Sequence, residues 1–258
     1  MLIPRTVLNS LTVATDTESC RYALGGLYLE RADDTAYAVA TDGRRLMVAE
    51  WKDKPTDYPP VGLDVLPSPG SDFAQNGKVI PSADCAKLAK SARATKGVMA
   101  KKPSLNFVAM EESTANGRVK FAATDGQTTA AVEVASIEGR FPRWRDVMPG
   151  DRSRVSHFTF QPAEVTEKEI SGFDDYARDA RKLAEETAAC PVPSAAVVKI
   201  RLDARYLAEL AKAIHDVTGN PEDSRLTLEV PLDPTKPVTL ENEGNGVKVR
   251  AVLMPLRG

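Results

Sequence analysis

Two aspartates, Asp42 and Asp125, are the first residues whose type and setting could do chemistry. A carboxylate pair is the usual equipment for general acid–base work. Each of these, however, is the third residue of the same tetrapeptide, Ala40-Thr41-Asp42-Gly43 and Ala123-Thr124-Asp125-Gly126. Asp-Gly between two alternating apolar runs is a hairpin signal, because Gly reaches positive φ without steric cost and Asp bonds to its own turn. Turn chemistry therefore explains both carboxylates. His157 and His215 stand alone and read as incidental. Cys20, Cys85 and Cys190 are far apart and form no CxxC pair. The close ligand set of a structural zinc site is missing, and the thiols read as idle in a reducing compartment. No GxSxG, P-loop, HExxH or GxGxxG pattern occurs. The expectation is a protein with no catalytic activity, no metal and no cofactor.

The elements that must position any binding surface come next. With 258 residues, 42% hydrophobic and 27% charged, the chain can bury a large core in one or two domains. No run approaches a membrane span, and Met1-Leu2-Ile3-Pro4-Arg5 has no apolar signal core, so a cytoplasmic location is expected. The net charge of -2 excludes a simple DNA-coating protein. Any DNA contact would need the basic residues gathered on one surface.

The repeated tetrapeptides predict two hairpins. A strand–cap–helix unit also occurs twice: Lys78 to Pro81 into a helix from Ser82 through Thr95, and Val198 to Leu202 into a helix from Asp203 through Val217. Ser82 and Asp203 are candidate N-caps, and Gly97 and Gly219 candidate C-caps. Further helices are expected over Thr6 to Val13 and Glu169 to Ala189. Strands are expected over Arg225 to Val230, Pro237 to Glu241 and Val247 to Leu253, with Asn245-Gly246 as a turn. Lys54 to Gly77 is rich in Pro and Gly and reads as loop, and Pro149 to Ser156 as the domain boundary. The pattern predicts an α+β fold of two domains, each an antiparallel sheet with helices on one face.

Four segments in order resemble the bacterial DNA polymerase III beta subunit, the DNA sliding clamp. They are Arg21 to Glu30 (RYALGGLYLE), Val39 to Leu46 (VATDGRRL), Glu138 to Pro149 (EGRFPRWRDVMP) and Val252 to Gly258 (VLMPLRG). Residues 1–150 resemble the family's middle domain and 157–258 a reduced last domain, with little likeness over 162–194. Arg44 stands where the family has His, Asp146 where it has Arg, and Gly258 where it ends on an apolar residue.

The resemblance implies a clamp fold and a non-catalytic processivity factor around double-stranded DNA, read without sequence preference. It implies a homo-oligomer, a trimer if two-domain chains close a ring. DNA polymerase, clamp loader and repair proteins would dock short linear motifs in a groove between the domains. Carried over, that groove contains Leu24, Thr41, Gly43, Arg44, Arg45, Leu46, Pro142, Val147, Val238, Met254, Pro255 and Leu256. Leu24, Leu46, Val147, Val238, Met254 and Leu256 would be its apolar walls, and Arg45 would meet acceptors on the peptide. DNA would face Lys87, Lys90 and Arg93 on one helix and Arg205 and Lys212 on another. The near-neutral outer face of the second helix favours an alternative, a clamp-derived peptide-binding adaptor that does not encircle DNA.

Overall fold

Period-two alternation in the apolar runs makes strands with two unlike faces, and two antiparallel sheets result. The structure is a computed structural model. It describes residues 1–16, 18, 23–53, 77–92, 103–112, 118–148, 155–160, 200–219, 226–231, 233 and 235–256. The strands are β1 (Leu2–Pro4), β2 (Gly26–Ala32), β3 (Thr35–Thr41), β4 (Arg45–Lys52), β5 (Lys78–Pro81), β6 (Phe107–Glu112), β7 (Arg118–Thr124), β8 (Thr129–Ala135), β9 (Val155–Phe160), β10 (Leu226–Pro231), β11 (Val238–Gly244) and β12 (Val247–Leu253). The helices are α1 (Arg5–Ser10), α2 (Ser82–Lys90) and α3 (Ala204–Thr218).

One sheet has the order β1-β6-β7-β8 and the other β5-β2-β3-β4-β12-β11-β10-β9. The larger sheet joins strands from both halves of the chain. Its seam is the antiparallel pair β4·β12, running from Val247 opposite Trp51 to Leu253 opposite Arg45. The α+β architecture expected from the sequence is present, with the larger sheet shared between the halves.

Alternation divides the core. Ala38, Ala40, Met47, Ala49, Val249 and Ala251 point to the helical side, where they meet Val7, Leu8 and Leu11, Leu88 of α2 and Leu210 and Ile214 of α3. Val39, Leu46, Val48 and Val252 point the other way and are covered by Leu24, Phe141 and Trp144. On the helical side, α1 packs against both α2 and α3.

Both repeated tetrapeptides build the same turn. Thr41 Oγ1 donates to the Arg45 carbonyl at 2.7 Å and accepts from Gly43 N at 3.1 Å, while Asp42 accepts from Arg44 N and Arg45 N, both at 2.9 Å. Thr124 Oγ1 likewise donates to Thr128 O at 2.9 Å and accepts from Gly126 N at 3.0 Å; Asp125 accepts from Gln127 N at 2.8 Å and Thr128 N at 2.7 Å. Gly43 and Gly126 have φ of 83° and 91°, where a side chain is strained. The N–H groups of Thr128 and Gln127 hold the Asp125 carboxyl below the usual carboxylate range.

Some sequence expectations change. Pro81, rather than Ser82, is the N-cap of α2, and no side chain caps it. That helix ends at Lys90 rather than Thr95, and Ser91 is extended. Its last carbonyls are held by Arg5, whose Nη1 donates to Ser91 O at 2.6 Å and Ala89 O at 3.3 Å, and whose Nη2 donates to Ala92 O at 3.0 Å. Residues 201 and 202 are not strand. Other expectations hold: Asp203 caps α3 by accepting from Arg205 N at 2.9 Å and Tyr206 N at 3.4 Å, and Gly219 closes it in the left-handed region. Asn245 and Gly246 turn β11 into β12 with φ of 52° and 73°. The expected helix over 169–189, the loop from 54 to 76, Gly97, and residues 149–154 of the expected boundary lie outside the described residues.

Cys85 is buried on α2, and burial pushes its thiol up to about 12. It therefore stays a neutral thiol at pH 8, and the thiolate is the reactive form. With Cys20 and Cys190 replaced by Ser, DTNB should leave native Cys85 unmodified and titrate one thiol after denaturation. Labelling of the native protein at the rate of a free thiol would contradict this burial.

Candidate peptide groove

The site is assembled where the β3–β4 turn, the run after β12 and the start of α3 converge. The β4·β12 seam ends with Leu253 opposite Arg45. Beyond it, Met254 N donates to the Arg44 carbonyl at 3.0 Å, and Leu256 N donates to the Arg201 carbonyl at 2.8 Å. These backbone bonds fix the path of 254–256, whatever side chains it carries. Met254 and Leu256 are 42% and 53% exposed, large values for apolar side chains on a backbone held this firmly.

A second stretch covers the outer face of the large sheet. Ile137 N donates to the Val79 carbonyl at 2.8 Å. Phe141 stacks on Tyr28 with centroids 4.8 Å apart, and Trp144 lies against Tyr37 at 5.6 Å. Arg145 sits 4.1 Å over the Trp144 ring and ion-pairs with Glu30. Trp144 opens a short 3-10 turn ending at Asp146, and Val147 N closes it onto Trp144 O at 3.2 Å. Val147 is 45% exposed on this anchored turn.

The structure places the expected site residues unequally. Val147, Met254 and Leu256 present exposed apolar surface, and Pro142 and Pro255 are half-buried. Leu24 and Leu46 are buried beneath, in the cluster with Phe141, Trp144 and Val252. Val238 departs from expectation: it is fully buried in the helical-side core, because the β11 register puts it opposite Leu253. Thr41 and Gly43 shape the turn.

Arg45 also departs from expectation. Its Nε donates to Asp42 at 2.9 Å and its Nη2 to the Val13 carbonyl at 2.6 Å; its Nη1 pairs with Glu209. Its guanidinium lies 4.2 Å over the Tyr206 ring, and the residue is buried. It joins the hairpin to α3 and has its donors engaged within the chain. Arg44 is an exposed cation of the site, with Nη1 at 3.5 Å from Tyr206 Oη. Tyr206, Glu209 and Arg201 were not assigned to the site from the sequence. Their tie to the hairpin is long-range, and no local pattern signals it.

Lys87, Lys90, Arg205 and Lys212 are exposed on α2 and α3. Lys87 pairs with Asp84 at 2.9 Å and Arg205 lies 3.5 Å from Asp203. Glu209 and Asp216 are also exposed on α3. Arg93 lies outside the described residues. Among the described residues, no cluster of His, Cys, Asp or Glu could hold a metal ion, and no helix is long and apolar enough to cross a membrane.

The fold is found in known structures. No family model and no curated protein matches the chain. Solved structures do. A Caulobacter crescentus beta sliding clamp aligns at 21% identity and TM-score 0.57, covering 100% of this chain and 65% of that one. A Streptococcus pneumoniae DNA polymerase III beta chain aligns at 15% identity and TM-score 0.61, covering 100% and 64%. A Helicobacter pylori beta clamp bound to a DNA ligase peptide aligns at 12% identity and TM-score 0.61, covering 98% and 63%. The fold is that of the bacterial sliding clamps, and the chain spans about 65% of the length of the Caulobacter clamp.

Proposed function

We propose that the chain is a non-catalytic, clamp-like tether that captures short linear peptide motifs in the groove formed by Val147, Met254 and Leu256. One observation carries this reading. The exposed large hydrophobics among the described residues are Val132, Val147, Met254 and Leu256, and the last three are groove positions by the clamp resemblance. Apolar side chains held in water on fixed backbone are what an extended peptide with apolar anchors needs. Met and Leu can repack around different ligands, which suits several partners. Arg44 supplies a cation at the groove margin. The partners would be a replicative polymerase, a clamp loader and repair proteins. A DNA ligase peptide on the H. pylori clamp supports that kind of partner.

In this reading residues 1–150 and 157–258 are two clamp units. DNA would be met without sequence preference by Lys87, Lys90, Arg205 and Lys212. A second reading is a peptide-binding adaptor that does not surround DNA. The neutralising contacts of Lys87 with Asp84 and Arg205 with Asp203 favour it, since paired cations attract phosphate less.

Fluorescence polarisation with two probes tests both. A labelled DNA ligase peptide of the kind seen on the H. pylori clamp should bind under either reading. A labelled duplex should bind with salt-sensitive affinity, independent of sequence, only under the tether reading. Absence of peptide binding removes both.

A further inference from the structure

The exposed run from Met254 to Leu256 is tied to the rest of the chain at two arginines. Met254 N donates to the carbonyl of Arg44 at 3.0 Å, and Leu256 N donates to the carbonyl of Arg201 at 2.8 Å. Two residues of chain span at most about 7 Å, so the two anchoring points lie within that distance along one apolar run. Arg44 and Arg201 are both exposed.

The carboxylates around them already have partners. Asp42 accepts from Arg44 N and Arg45 N and pairs with the Arg45 side chain. Glu209 pairs with the same Arg45. Asp203 caps α3 and lies 3.5 Å from Arg205. Arg45 and Arg205 therefore take the local acids. Among the described residues Arg44 and Arg201 form no ion pair; Arg44 donates instead to the neutral Tyr206 Oη at 3.5 Å. The two arginines that border the exposed apolar side chains are thus the two left without a carboxylate. A guanidinium presents a planar fork that matches a carboxylate, and each of these can accept one without breaking a pair within the chain.

We infer that the groove prefers peptides with Glu or Asp beside their apolar anchors. The peptide carboxylates meet Arg44 and Arg201 while the anchors cover Met254 and Leu256. This rests on the peptide capture proposed above and adds the charge of the captured segment. Ion pairs at an exposed rim discriminate between partners more than they raise total affinity. The preference is therefore a ranking among peptides that share the same apolar anchors.

Polarisation titrations test this with three versions of the DNA ligase-type peptide, whose residues flanking the apolar anchors are Glu, Gln or Lys. The parent protein should bind them in that order, with Glu ahead of Lys by about tenfold at low salt, and added salt should narrow the gap. Arg44→Glu with Arg201→Glu should reverse the order. Its Tm should match that of the parent, because the carbonyls of these residues, not their side chains, hold the run. Lys52→Glu, a charge reversal at the exposed far end of β4, should leave the order and the gap unchanged. Met254→Ala with Leu256→Ala should weaken all three versions alike. Equal affinity of the three versions for the parent would overturn the inference and leave peptide capture standing. So would an order that survives the double arginine reversal, or one that Lys52→Glu shifts as far. Failure of all three versions to bind would overturn both.

Discussion

Replacing Arg5 by Met should destabilise the fold by about 3–5 kcal/mol, because it strips buried carbonyls of charged donors at three places at once. Arg5 is 5% exposed. Its Nη1 reaches the carbonyls of Ser91 at 2.6 Å, Ala89 at 3.3 Å and Leu88 at 3.5 Å, at the end of α2. Its Nη2 reaches Ala92 O at 3.0 Å and Thr124 O at 3.5 Å, and its Nε reaches Leu105 O at 3.0 Å. A helix C-terminus leaves carbonyls without partners and carries partial negative charge, and a guanidinium answers both. Met keeps the apolar stem and removes every donor. Arg5→Lys keeps the charge but offers one ammonium in place of the fork, so it should recover part of the loss. Urea denaturation measures this as a lower midpoint at unchanged slope. A loss below about 1 kcal/mol for Arg5→Met would show that solvent satisfies these carbonyls.

The second large effect concerns binding. Met254→Ala with Leu256→Ala should weaken a DNA ligase-type peptide by at least ~30-fold, since apolar anchors in a groove are worth about 2 kcal/mol or more together. Stability should stay within ~0.5 kcal/mol, because both side chains are largely exposed. The chain path through them rests on backbone amides, Met254 N on Arg44 O and Leu256 N on Arg201 O, which alanine retains. Polarisation titrations read the first quantity and thermal melts the second. An affinity within threefold of the parent protein would remove the groove from 254–256.

The contrast between Arg5 and Asp125 shows what the sequence could disclose. The Thr-Asp-Gly turns were legible because every bond they make lies within a few residues. The Asp203 cap and Gly219 stop were legible for the same reason. The end of α2 was not, since its partner Arg5 is more than eighty residues away. Proline at 81 also displaced the expected cap: with φ -52° and ψ 136° it occupies the N-cap position itself.

The groove divides along the same line. The clamp resemblance carried over positions, but faces follow from strand register. Met254 and Leu256 lie beyond the last strand and stay exposed, whereas Val238, inside β11, is turned into the helical-side core. Arg45 looked free because Glu209, Tyr206 and the Val13 carbonyl come from distant stretches of chain. The seam β4·β12 is equally long-range, joining strands about two hundred residues apart. It ties the two halves of the chain through a single sheet.

The most direct test of the groove is a methyl NMR titration of protein labelled at the methionine methyls, with the DNA ligase-type peptide as titrant. Met254 is 42% exposed at the proposed groove, whereas Met47 and Met110 are fully buried in the helical-side core. The expected result is a saturable shift of the Met254 methyl signal while those of Met47 and Met110 stay in place. A Met254 signal that does not move at saturating peptide would contradict peptide capture at this groove.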